Sequence, residues 1–229
     1  TALILSAFGL ANSSSQITKL QYGDKGIFRY DVQLTFESDQ DEDDSAVLRA
    51  IASDNRTQSV MLAGKLTAEF SAKSSGEKQS AQIIVPQNTE NFSDYIGLKS
   101  VDGSVNPSDG LILTEKLAND IGASVGDTVK ISDMSSEIYS AQVAGIAENY
   151  SGNYAYCGPG VYSKIFSAEP EYKFGFCIVK DYLSDNDKAA YASDFLKNEN
   201  VSSAVTASAL ARSVGNSVDK LISVAVLFI

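Results

Sequence analysis

Two apolar stretches without a charged residue flank the rest of the sequence, and they limit how the chain between them can fold. The first is residues 1–11 and the second is residues 221–229. Each is shorter than the roughly 20 apolar residues that an α-helix needs to cross a bilayer. We therefore interpret each stretch as part of a membrane-spanning helix, with the more polar chain between them folded on one side of the membrane.

Helical spacing extends both stretches toward the middle of the chain, because apolar positions recur every three or four residues. The positions are Leu3, Ala7, Leu10, Ser14 and Ile17 in the first part, and Leu210, Val214, Val218, Leu221 and Ala225 in the second. Gly23 provides a stop for the first helix. Two alternatives stay open: a secretory signal, for which residues 1–11 lack a charged start and an A-x-A cleavage site, and ordinary core helices for both stretches.

Patterns of strand and helix alternate between these stretches. Residues 27–37 alternate apolar and polar side chains, which predicts a half-buried strand, and residues 45–56 have helical spacing. Residues 60–70 predict a second strand, with Gly64 as a bulge or a close-packing point.

The middle of the chain is rich in predicted strands. One begins with AQIIVP, and a short helix over residues 92–96 follows. The segment GLILTEKLANDIGASVGDTVKI then predicts a short strand, a helix from Thr114 to Gly122, a turn and another strand. A hairpin tip at residues 135–136 should lead into a strand over residues 138–147.

The last third predicts a helix that begins at Pro159, a strand over FGFCIV, a helix over residues 188–197 and a strand over residues 201–206. The order of all these elements predicts an α+β fold. Its first and last parts should pack together, with the strand-rich middle block inserted between them.

Composition excludes several classes of function. The chain has no histidine, which removes Ser/His/Asp and Cys/His nucleophile systems. It has 29 acidic residues against 18 basic ones, a net charge of -11, so its surface should repel nucleic acid. We predict no catalytic residue and no nucleic-acid partner.

Metal and nucleotide motifs are incomplete. Asp39, Asp41 and Asp43 have the spacing of a calcium loop, but Asp44 replaces the required glycine and Ala50 replaces the bidentate glutamate. A G-x-x-x-x-G-K-[ST] loop for phosphate binding is absent from the sequence. We therefore predict no metal site and no cofactor.

Two sets of residues are candidates for a surface or a bridge. Tyr150, Tyr154 and Tyr156 lie in one aromatic run, which suits a partner surface, although core packing explains such a run as well. Cys157 and Cys177 lie in predicted strand segments that could be neighbours and form a disulfide. Two reduced, buried cysteines are the alternative.

Several segments resemble FtsX/MacB-type ABC transporter permeases of a Gram-positive kind. TALILSAFGLANSSSQI is similar to the end of the first transmembrane helix in that family, and FRYDVQL is similar to the strand that follows. GLILTEKLANDIGASVGDTVKI resembles a recurring piece of the MacB-like periplasmic core. AENYSGNYAYCGPGVYSKIF resembles the segment after the hairpin of that core.

This resemblance implies a MacB-like periplasmic core with a membrane-proximal α/β base, residues 23–77 and 171–207. Residues 78–170 would be an inserted, distal β-rich subdomain. Residues 1–22 and 208–229 would be stalks that carry the ends of the flanking membrane helices.

The resemblance also implies a function and a location. The domain would lie on the extracytoplasmic face of the cell membrane and engage an unknown protein, peptide or lipid substrate. A separate cytoplasmic ABC ATPase would drive it mechanically through the membrane helices, and the domain itself would not be an enzyme. A secreted or surface-anchored enzyme or carbohydrate-binding domain is the alternative from another class.

Overall fold

The structure, a computed structural model, describes residues 16–23, 25–39, 46–72, 76–133 and 137–215. The strands are β1 (Val32–Phe36), β2 (Thr57–Ala72), β3 (Lys78–Pro86), β4 (Ser100–Gly103), β5 (Leu111–Thr114), β6 (Thr128–Ser132), β7 (Ile138–Ala147), β8 (Tyr154–Tyr156), β9 (Phe174–Val179) and β10 (Val201–Thr206). The helices are α1 (Ala46–Ser53), α2 (Phe92–Tyr95), α3 (Glu115–Ile121), α4 (Pro159–Phe166) and α5 (Asp185–Phe195). Residues 16–22, the entry helix, and residues 207–215, the exit helix, are also helical.

The strands of the described residues form one mixed sheet, in the order β10-β1-β9-β2-β3-β8-β5-β7-β4. β6 pairs with both β2 and β7, so six strands close into a ring: β2, β3, β8, β5, β7 and β6. An open sheet extends from the first part of β2 and contains β9, β1 and β10. The predicted α+β fold is therefore confirmed, with a base from both parts of the chain and a β-rich part inserted between them.

The base consists of β10, β1, β9 and the first part of β2, with α1 and α5 packed on one face. Val32 of β1 lies opposite Thr206 of β10, and β9 pairs along the other edge of β1. Buried and half-buried side chains alternate along β1, as predicted. The helix α1 buries Val47, Leu48 and Ile51 in the same cluster as the apolar side chains of β1.

The ring has its own core, to which alternate residues of its strands contribute. Phe70 of β2 and Ile83 of β3 are completely buried there, together with Leu117 of α3. The helix α3 ends as predicted at Gly122, whose φ of 68° is in the left-handed region that glycine adopts without a steric penalty. Gly64 of β2 is a close-packing point, because a Cβ there would lie 2.9 Å from the carbonyl oxygen of Glu171.

β1 is shorter than the strand predicted over residues 27–37. Phe28 forms an isolated bridge with Ile96, and the Arg29 amide donates to the Tyr95 carbonyl at 2.9 Å. This part of the chain therefore pairs with the end of α2 before it enters the sheet.

Some predicted features lie outside the described residues. They are the hairpin tip at residues 135–136, the acidic residues 41–44, and the apolar stretches 1–11 and 221–229.

Candidate functional site

A pocket of about 250 Å³ lies between the entry and exit helices and one face of the sheet. Side chains alternate between the two faces of a strand, so Leu62 packs with α1 and α5 whereas Lys65, three residues further, faces the pocket. Aromatic, polar and aliphatic side chains together line it: Tyr22, Phe28, Tyr30, Gln33, Lys65, Gln82, Ile84, Tyr154, Phe176 and Leu210.

The residues that form the floor of the pocket come from five strands: β1, β9, β2, β3 and β8. The register of these strands brings them together. Neighbouring strands contribute opposite residues, which is why distant parts of the sequence meet here. The opposed pairs are Gln33 with Phe176, Lys65 with Ile84, and Gln82 with Tyr154.

Lys65 carries the positive charge of the pocket. Its Nζ donates a hydrogen bond of 2.7 Å to Gln33 Oε1 and lies 4.4 Å from the centre of the Phe174 ring and 5.3 Å from that of Phe176. Among the described residues no carboxylate forms an ion pair with it. Burial lowers the pKa of Lys65 from its ordinary 10.5 to about 8, because the charged form loses hydration there.

Three tyrosines give the pocket aromatic walls with polar tips. Tyr30 packs on Phe176 with ring centres 4.6 Å apart, and Phe28 lies 5.5 Å from both Tyr22 and Tyr154. Burial raises the pKa of Tyr22 to about 12 and also raises those of Tyr30 and Tyr154. Their hydroxyl groups stay protonated at neutral pH and can donate hydrogen bonds.

The entry helix is fixed to the body of the domain through Gln21. This side chain is completely buried, and its Oε1 accepts from the Tyr150 amide at 3.0 Å. The Phe28 amide donates to the Gln21 carbonyl at 2.8 Å. The Gln21 Nε2 has no hydrogen-bond partner in the described part of the chain, which is costly for a buried amide.

The exit helix is fixed through Asp31. The Ala207 amide donates to the Asp31 carbonyl at 2.8 Å. The carboxylate of Asp31 accepts from Lys188 Nζ of α5 at 2.6 Å and from the Val179 amide of β9 at 2.9 Å. Asp31 therefore connects the sheet, α5 and the start of the exit helix.

The three predicted surface tyrosines have different environments. Tyr154 lines the pocket, and Tyr150 is half-buried, with its hydroxyl donating to Glu148 Oε2 at 2.8 Å. Tyr156 is completely buried and belongs to no surface, so this prediction is wrong for Tyr156. Its ring packs against Phe92, with centres 5.9 Å apart, because β8 is an interior strand of the sheet.

The predicted proximity of Cys157 and Cys177 is wrong. Both are free, buried thiols, one in the core of the ring and the other in the core of the base. β2 and β3 lie between β9 and β8, so three strand spacings, about 14 Å, separate the two strands. A disulfide needs α-carbons within about 7 Å. The local patterns identify both strands but not their order in the sheet.

The described residues offer neither a metal site nor a membrane-spanning helix. They contain no group of three His, Cys, Asp or Glu side chains that could hold a metal ion. In the same ranges no helix has the length and apolar character to span a membrane.

Sequence reasoning missed Lys65 and the pocket around it. The signal was a lysine in the apolar run MLAGKL, at a position that alternates with Met61 and Ala63. Both of these residues are buried on the same sheet face, so alternation predicts an inward lysine. The partners of Lys65 are Gln33 and the rings of Phe174 and Phe176, which come from two distant regions of the chain that no local pattern relates.

Comparison with known proteins gives likenesses in structure only. No protein-family model and no curated protein matches the sequence. The chain is similar to the periplasmic region of MacB from Actinobacillus actinomycetemcomitans, with a TM-score of 0.48 and 12% identity over 86% of this chain and 98% of that one. It is also similar to the extracellular domain of the noncanonic ABC-type transporter YknZ from Gram-positive bacteria, with a TM-score of 0.45 and 12% identity over 77% of this chain and 98% of that one.

Proposed function

We propose that the chain is the extracytoplasmic domain of an ABC transporter permease. The observation that carries this proposal is the meeting of the entry and exit helices, whose Tyr22 and Leu210 line one pocket. In the sequence, the apolar stretches 1–11 and 221–229 lie outward of these two helices. The two helices lie on one side of the domain, and each is followed outward in the sequence by an apolar stretch. This arrangement suits attachment to a membrane at two neighbouring points.

In this proposal the base, residues 23–77 and 171–207, lies near the membrane, and residues 78–170 form the distal part. A cytoplasmic ABC ATPase changes the positions of the membrane helices, and the entry and exit helices pass that movement to the base. The distal part engages a protein, peptide or lipid substrate. Tyr150 and Tyr154 lie beside the entry helix and not on the far side of the distal part, so in this proposal they are candidates for contact with a substrate only near the two helices.

A binding role suits the chemistry of the chain better than a catalytic one. The sequence has no histidine. Burial raises the pKa of both cysteine thiols to about 12, which keeps them protonated and unreactive at neutral pH. These unreactive thiols also make a clean labelling experiment feasible.

The location can be tested with one added cysteine at Tyr182, which is 71% exposed in the loop between β9 and α5. We expect the Tyr182→Cys variant of the full-length protein to react with a membrane-impermeant maleimide on intact spheroplasts. The parent protein is the control, and within this domain it should stay unlabelled because Cys157 and Cys177 are both buried. Labelling that occurs only after lysis would place the domain in the cytoplasm and overturn the proposal.

A further inference from the structure

We propose that the pocket between the entry and exit helices binds a small aromatic carboxylic acid. The carboxylate meets the Lys65 ammonium, and the aromatic body lies against the tyrosine and phenylalanine rings. This inference goes beyond the transport role, because binding can be measured on the 229-residue chain without a membrane. Its failure would leave the maleimide result unaffected.

The charge of the pocket favours an anionic ligand. The chain has a net charge of -11, yet the described residues give Lys65 only the neutral Gln33 as a hydrogen-bond partner. Lys65 is half-buried, and a cation that has lost part of its hydration without gaining an opposite charge costs free energy. An anionic ligand supplies the missing negative charge and forms a charge-assisted hydrogen bond with Nζ.

The walls of the pocket favour an aromatic ligand with one carboxylate. Tyr22, Tyr30 and Tyr154 present aromatic rings with hydroxyl groups that can donate to a carboxylate. Phe28 and Phe176 add apolar aromatic surface. One ammonium and neutral hydroxyls suit a single negative charge, whereas a phosphate dianion would require further cations.

The size of the pocket favours a small ligand. The pocket, at about 250 Å³, is close to the lower end of the range of about 300–1,000 Å³ that is usual for ligand sites. It suits one aromatic ring with a short acidic arm. A folded peptide or a lipid tail is too large to enter.

The probe is phenylacetate, with phenylacetamide as the matched neutral compound. Titration followed by ¹⁵N–¹H NMR should shift the side-chain amide signals of Gln33 and Gln82, which line the pocket. We expect saturable binding of phenylacetate and binding of phenylacetamide about 10- to 100-fold weaker, since the amide has no charge for Lys65. This comparison uses only the native chain, so it does not depend on a variant that folds.

The variant Lys65→Met removes the charge and keeps the length of the side chain. It should weaken phenylacetate binding about 10- to 100-fold while its thermal unfolding shows an intact fold. The matched control is Lys130→Met, an exposed lysine on β6, which should bind phenylacetate as the native chain does.

Binding should also weaken as the pH rises through about 8, because Lys65 then loses its proton. The other titratable groups that face it, Tyr22, Tyr30 and Tyr154, have raised pKa values and remain neutral in this range. Equal affinity for phenylacetate and phenylacetamide would overturn the proposal. So would unchanged NMR signals of the Gln33 and Gln82 side chains up to about 10 mM phenylacetate. Unchanged binding in folded Lys65→Met would overturn it as well.

Discussion

Lys65 is held in a place where burial works against its charge. The lowered pKa means that the folded chain releases the proton of this ammonium at about 8, whereas the unfolded chain keeps it up to about 10.5. Between these two values the unfolded state binds more protons, so the free energy of unfolding rises with pH. The contacts of Nζ with Gln33 and the Phe174 ring offset only part of the cost of burial.

The rise in the free energy of unfolding with pH gives a measurable prediction for Lys65→Met. The difference of about 2.5 pKa units corresponds to about 3 kcal/mol. Relative to the variant, the native chain should gain this free energy of unfolding as the pH rises from about 8 to about 10.5. Urea unfolding of both proteins over this range measures it, and the shared tyrosines cancel in the difference. Parallel pH curves for the two proteins would show that burial does not lower the pKa of Lys65.

At the scale of the elements, β4 and β7 approach so closely that one position accepts no side chain. Gly145 of β7 lies opposite Gly103 of β4, and a Cβ on Gly145 would lie 1.6 Å from the Ser104 carbonyl oxygen. The obstacle is backbone, which cannot rotate away as a side chain can. Gly160 in α4 is the opposite case, because a Cβ there meets no atom within 4 Å.

The same substitution at these two glycines should therefore have opposite effects. Gly145→Ala should lower the free energy of unfolding by about 1–3 kcal/mol or more, because the strands must separate. Gly160→Ala should raise it by about 0.5–1 kcal/mol, since alanine is the better helix former. Denaturant unfolding measures both. If Gly145→Ala has the same free energy of unfolding as the native chain, β4 can move away from β7 without a loss of stability.

The sequence predicted most elements because their signals are local. The alternation along β1, the glycine that ends α3, and the proline that begins α4 all act within one element. The order of strands is different, because β9 reaches its place beside β2 through pairing across more than a hundred residues. The error about Cys157 and Cys177, and the missed site at Lys65, both come from this non-local pairing.

At the scale of the whole molecule, β2 is the element common to both parts. Its first residues pair with β9 of the base, and its last residues pair with β6 of the ring. This strand of 16 residues is continuous through both parts, so we expect its two ends to move together. A displacement of the base at the exit helix should carry the ring with it.

Under the proposed transport function, proline at Val214 tests this transmission in the full-length protein. Val214 lies in the exit helix, where proline should cost about 3 kcal/mol or more by removing a hydrogen bond. We expect Val214→Pro to keep the fold of the base and the ring, measured by NMR, and to lose ATP-dependent output. Val214→Ala, which preserves the helix, is the control and should retain output. Full output in a variant whose exit helix is demonstrably lost would reject mechanical coupling.

The position of β1 in the sheet has a consequence for the order of events during biosynthesis. Both neighbours of β1, β9 and β10, come from the last third of the chain, with Val32 opposite Thr206. The ring, by contrast, is complete once residue 156 has emerged. Both edges of β1 therefore lack a strand partner until residues 174–206 have been translated, although α1 is already available to cover its apolar face. These open edges are where the nascent chain would need protection from aggregation.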